Sequence, residues 1–158
     1  MRLSGLLGAL IFGSLTAAPV QSLANEQTQQ PRDLIGSWKF RDTGEVLEFF
    51  ACGTMRCARL VALAPGERQA QDFRNPVPAL RARPLCNLTV VEGLRAASPS
   101  KWTHGSAYSP EDGNVYEVRV DVVTGDTANL RANLRAMPLL GRTYKLDMVA
   151  TTPNCKRY

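Results

Sequence analysis

The run NVYEVRVDVV, residues 114–123, places Tyr116, Val118, Val120 and Val122 at every second position. Successive side chains of an extended chain point to opposite faces, so these four share one face while Glu117, Arg119 and Asp121 share the other. That pattern is a strand with one side buried. The same period-two alternation recurs in LIGSWKFR (34–41), EVLEFF (45–50), RCARLVAL (56–63), CNLTVVEG (86–93), KWTHGSAY (101–108), TANLRANLR (127–135) and RTYKLDMVA (142–150). Turn signals separate them: DTG at 42–44, CGTM at 52–55, SPEDG at 109–113 and TGD at 124–126.

Eight short strands with turns between them predict an all-β fold, an eight-stranded antiparallel meander closed or nearly closed into a barrel. Only QAQDFRNPVPALR (69–81) has room for a helical turn, and Pro76 and Pro78 limit it. One stretch interrupts the meander. From Ala64 to Pro84 no strand pattern is visible, and prolines and arginines dominate. A connection of that length inside a compact domain is usually functional or disordered. Pro65, Pro76, Pro78 and Pro84 fix φ at four points and favour an ordered loop.

The ends set the compartment. Met1-Arg2 begins a basic, then apolar, then small-residue pattern ending at Ser22-Leu23-Ala24, the build of a secretory signal. Cleavage is expected between Ala24 and Asn25, giving a periplasmic or secreted protein. Residues 25–33 read as a flexible lead-in and residues 34–158 as one barrel domain. No later run is apolar for long enough to span a bilayer as a helix. The net charge is +5, but the arginines are scattered singly along the chain rather than gathered on one element, which argues against a nucleic-acid reader.

Four cysteines in an exported domain predict two disulfides. Cys52 and Cys57 enclose GTMR, a natural staple across a hairpin, which leaves Cys86 with Cys155. A metal site is the alternative, but the C-x4-C spacing and the single His104 do not suit one.

Catalytic chemistry is thinly represented. A nucleophile and base pair would have to run through His104 with Ser106 or Ser109, and no G-x-S-x-G elbow accompanies them. Asp112, inside SPEDG, is read as capping its own turn, and Asp72 as a loop-stabilising side chain. The better candidates bind rather than catalyse. Arg81 and Arg83 lie in the stiff loop, and Arg142 in LLGRT, where guanidinium groups suit carboxylate or phosphate ligands. Trp102, Tyr108 and Tyr116 are the aromatic candidates for the same ligand site, set against the plainer role of filling the core. Arg81 and Arg83, two apart, are expected to face one way, with at least one near LLGRT. No cofactor and no metal are implied.

The runs DFRNPVPALRARPL (72–85), W-x-x-GSAYSPEDGNVY (102–116) and LLGRT (139–143), with Gly36-x-Trp38 and the pair flanking Cys52-Gly53, resemble an exported bacterial family catalogued as domain of unknown function 2147. That resemblance implies no activity. The early Gly-x-Trp and the meander also resemble the lipocalin-like (calycin) barrels, which implies a small, mostly apolar ligand held in the mouth or interior. In those barrels an arginine of the last strand covers the early tryptophan. Here Leu146-Asp147-Met148 stand in that region, with Arg142 as a substitute, and Asn87 stands where the bacterial family usually has glycine. The functional expectation is therefore a small-ligand-binding protein, with an envelope protein-interaction module second and a hydrolase third. A large internal cavity would favour the first, and an exposed apolar patch the second.

Overall fold

A computed structural model describes residues 33–64, 71–150 and Cys155. Its eight strands are β1 (Gly36–Phe40), β2 (Val46–Cys52), β3 (Met55–Ala62), β4 (Thr89–Ser98), β5 (Lys101–Tyr108), β6 (Val115–Val122), β7 (Thr127–Asn133) and β8 (Gly141–Val149). Each pairs antiparallel with the next, and β1 pairs with β8, so the sheet closes into a barrel with no free edge. The expected eight-stranded meander is the observed fold. The one helical turn among the described residues is the three-residue Pro78–Leu80.

Alternation puts the core where the sequence placed it. Val118, Val120 and Val122 of β6 are buried, and they meet Trp38, Leu47, Phe49, Leu94, Leu130 and Leu146 from the other strands. Trp38 is 0% exposed and its Nε1 donates to the Leu34 carbonyl at 2.9 Å. That bond draws the segment before β1 beneath the barrel, where Leu34 is also fully buried.

β4 runs five residues beyond the expected segment, to Ser98. The alternation that marks a strand fails here because Val90 and Val91 are both buried and Gly93 takes a φ of +73°. The register against β3 slips between Ala58–Val91 and Arg56–Leu94, the signature of a bulge.

The barrel has two unlike ends. Tight turns close one: Gly53-Thr54, Pro99-Ser100 and Val123–Asp126. At the other lie the long β3–β4 connection, the 109–114 turn and the 134–140 loop. Cys52 bridges Cys57 with Cα atoms 5.9 Å apart, and Cys86 bridges Cys155 at 5.4 Å, the pairing expected. The expected cleavage site and lead-in, up to residue 32, lie outside the described residues.

Candidate functional site at the loop end of the barrel

The proline-rich connection folds around one buried carboxylate. Asp72 is 0% exposed. It accepts hydrogen bonds from the Tyr108 hydroxyl (2.5 Å), Asn75 Nδ2 (2.7 Å) and Arg83 Nε (2.8 Å), with Arg83 Nη2 also at 2.8 Å. Burial works to raise the Asp72 pKa, but the donors from Tyr108, Asn75 and Arg83 outweigh it and hold the carboxyl below its ordinary value. Burial and the same carboxylate push the Tyr108 hydroxyl up. The Arg83 guanidinium also lies over the Tyr108 ring at 5.2 Å. Asn75 completes the knot by accepting from the Val77 N–H through its side chain and from Arg81 Nε through its carbonyl, at 2.9 and 2.8 Å.

This knot packs against the neighbouring turn. Gly113, at φ +76°, stands so close to the Arg74 carbonyl that a Cβ there would lie 2.2 Å from it. Within that turn Asp112 accepts from the Asn114 N–H at 3.0 Å and from the Tyr116 hydroxyl. Burial alone would raise its pKa, yet the hydrogen bonds from Tyr116, Asn114 and Ser109 hold it at about 2. Asp112 caps its turn as expected, and Asp72 bonds side chains rather than the loop backbone it was expected to serve.

The structure therefore brings Arg81, Arg83 and Tyr108 into one cluster, in which Arg83 and Tyr108 spend their polar groups on Asp72. Arg142 stands apart on β8, over the Tyr144 ring at 4.9 Å and 3.9 Å from the Asp42 carboxylate. Trp102 sits near the tight-turn end. There Arg56 covers its ring at 4.8 Å and also holds Asp33 through two hydrogen bonds of 2.9 and 3.0 Å. A tryptophan under an arginine is present, then, but the pair is Trp102 with Arg56, not Trp38 with a last-strand arginine. Nor is it Arg81 or Arg83 that holds the LLGRT turn: Arg131 of β7 reaches the carbonyls of Leu139 and Gly141 at 3.2 and 3.3 Å. Nothing in the spacing of singly scattered arginines marked out Arg56 or Arg131.

Tyr116 lines a groove of about 410 Å³ that opens to solvent, with Gly105, Ser106, Val115, Glu117 and Arg135 as the other walls. Ser106 and Glu117 are cross-strand partners between β5 and β6, so their side chains stand on the same face of the sheet. A carboxylate, a guanidinium and a hydroxyl thus line one open space together with Val115 and Tyr116. His104 is exposed at a φ of +59°, where the β5–β6 register slips between Trp102 and Gly105. No cluster of three or more His, Cys, Asp or Glu suited to a metal occurs among the described residues. No helix among them is long and apolar enough to cross a membrane.

A closed eight-stranded meander with a buried Gly-x-Trp tryptophan at its base defines a lipocalin-like barrel. The chain belongs to the family described as "Uncharacterized protein conserved in bacteria (DUF2147)", whose profile matches residues 36–147. Among solved structures it is similar to protein HP1028 from the human pathogen Helicobacter pylori, described as belonging to the lipocalin family. The two share 21% identity and superpose with a TM-score of 0.69, over 75% of this chain and 84% of that one. No curated protein matches the chain.

Proposed function

We propose that the protein is exported and binds a small ligand in the groove beside Tyr116. The observation that carries this reading is the groove itself, where Glu117 and Arg135 offer opposite charges across an apolar wall. The lipocalin-like architecture supports it, because such barrels supply rigid walls on which a few polar groups fix a ligand's orientation. The ligand is assigned to the groove rather than to the barrel axis, where the buried side chains of Trp38, Phe49, Leu94 and Leu146 meet. A molecule with both an acidic and a basic group, or one polar end and one apolar end, suits the lining. Export rests on the signal pattern of residues 1–24.

Native mass spectrometry of the protein isolated from its own cells tests both parts. The expected result is a chain beginning at Asn25 and carrying a non-covalent small molecule. Ser106→Trp, which fills the groove, and the pair Glu117→Gln with Arg135→Gln should release that molecule and leave stability within about 1 kcal/mol, as surface changes do. Retention of the same molecule by all of these variants would overturn the assignment.

A further inference from the structure

We propose that the β7–β8 hairpin tip docks the barrel on an anionic lipid surface by inserting Leu139 and Leu140. Leu139 is 92% exposed and Leu140 68%, and Leu134 and Met137 of the same loop are exposed too. Single exposed apolar residues are ordinary, but four exposed within one seven-residue loop are a local concentration of apolar surface. The loop is also built. The Met137 N–H donates to the Leu134 carbonyl at 2.9 Å and the Leu140 N–H to the Met137 carbonyl at 3.1 Å, while Arg131 clamps the carbonyls of Leu139 and Gly141. Gly141 permits this close path, since a Cβ there would lie 2.7 Å from the Ala132 carbonyl. The backbone is tied down while the leucines are held out in water.

Charge decides the occupant. Around the tip, from Arg131 to Arg142, the chain carries Arg131, Arg135 and Arg142 and no acidic residue, while Lys145 and Asp147 lie further along β8. Near the tip the acids are Asp42, 3.9 Å from Arg142, and Glu117, which lines the same groove as Arg135; Asp121, opposite Asn129, and Asp147, held by Arg41, lie further down the strands. Three arginines against two carboxylates leave the tip end of the hairpin net positive behind its apolar side chains. Apolar side chains at a tip with arginines behind them match a bilayer whose headgroups are negative: the leucines reach the acyl boundary and the guanidiniums stay at the phosphates. The topology points the same way, because the tip projects from the loop end of the barrel, at the opposite end from the Leu34 base.

Flotation with vesicles tests the assignment on the full chain. Wild type and variants share one N-terminus, so any contribution of residues 1–24 cancels in the comparison. Wild type is expected to float with phosphatidylglycerol vesicles about tenfold better than with phosphatidylcholine vesicles, and to lose most of that preference in about 0.5 M salt. Leu139→Ser with Leu140→Ser should remove binding to both, with an unchanged melting temperature because both side chains are exposed. Arg142→Gln should weaken only the phosphatidylglycerol arm. Leu139→Trp reads the tip directly: its emission should shift to the blue with phosphatidylglycerol and be quenched by brominated chains, over a constant background from the buried Trp38 and Trp102. Equal flotation of wild type and the double serine variant, or a Leu139→Trp spectrum indifferent to lipid, overturns the proposal. So does a dimer in lipid-free solution that the double variant dissolves, because the patch would then be a protein interface.

Discussion

At the scale of single residues, backbone conformation explains two choices that the sequence presents without a reason. Asn87 adopts a φ of +62°, where a side chain other than that of glycine costs about 1–2 kcal/mol and asparagine is among the least penalised. The positive φ is a backbone requirement that glycine meets without strain, so Asn87→Gly should leave stability within about 1 kcal/mol in a denaturant melt, the relieved strain being offset by a freer unfolded chain. Gly113 is the opposite case, because it has both a positive φ and the Arg74 carbonyl in the path of any Cβ. Gly113→Ala should cost about 2–4 kcal/mol, and amide exchange should show the loss first in the 72–85 loop. An effect under about 0.5 kcal/mol would mean that the turn and the loop are not held against one another. Neither φ value can be read from a sequence, although the resemblance did single out Asn87 as a departure.

At the scale of elements, strands were legible and the long connection was not. β2 and β6 alternate cleanly, β1 and β3 bury consecutive residues yet were found from their apolar runs and bounding turns, and β4 was truncated because a bulge at Gly93 breaks the period. The connection was legible as ordered, since its prolines restrict it, but the knot at its centre was not: Arg81 and Arg83 bond within the loop, to Asn75 and Asp72, while the Tyr108 hydroxyl that completes it comes from 36 residues away. Candidate residues from one stretch of sequence consequently divide among a structural knot, a groove and the far end of the barrel. Arg83→Gln leaves a buried carboxylate short of its cation and should cost about 3 kcal/mol, whereas Arg81→Gln, which gives up one bond to a carbonyl, should cost about 1. Equal effects would show that the knot is not centred on Asp72. The pH dependence follows from the same groups. Asp72 and Asp112 both have folded pKa values depressed below the ordinary 3.8, Asp112 to about 2. Their contribution is complete above pH 3.8, and it falls away as the pH drops through the folded values. Melts should be flat on this account near neutrality and lose stability below about pH 4, with Asp112→Asn removing part of the slope.

At the scale of the whole molecule, barrel closure was legible because it is a property of strand count and turn spacing rather than of any one contact. The fastening of its chain ends is a separate matter, and the two disulfides divide that work unequally. Cys52–Cys57 closes a hairpin that β2 and β3 already form through continuous pairing from Leu47–Leu60 to Cys52–Met55. Cys86–Cys155 instead joins residues 69 apart, and the Cys155 N–H reaches the Val61 carbonyl at 3.4 Å. It thus binds the tail beside β3, at the point where the 72–85 loop returns to the sheet. The entropy of closing a loop grows with its length, so the model in which a bridge acts on the unfolded chain assigns about 2 kcal/mol to the short link and about 4 to the long one. Replacing Cys86 and Cys155 with serine should therefore lower stability by about twice as much as replacing Cys52 and Cys57. It should also loosen the Asp72 knot selectively, because Leu85 and Cys86 are where that loop is anchored, whereas the hairpin variant should melt as one unit with the wild type. Calorimetry supplies the first comparison and amide exchange at residues 72–85 the second. Equal losses from the two pairs would mean that native contacts rather than chain entropy set the value of each bridge. Unchanged exchange in the loop would mean that Asp72 and its donors hold it without help from the tail.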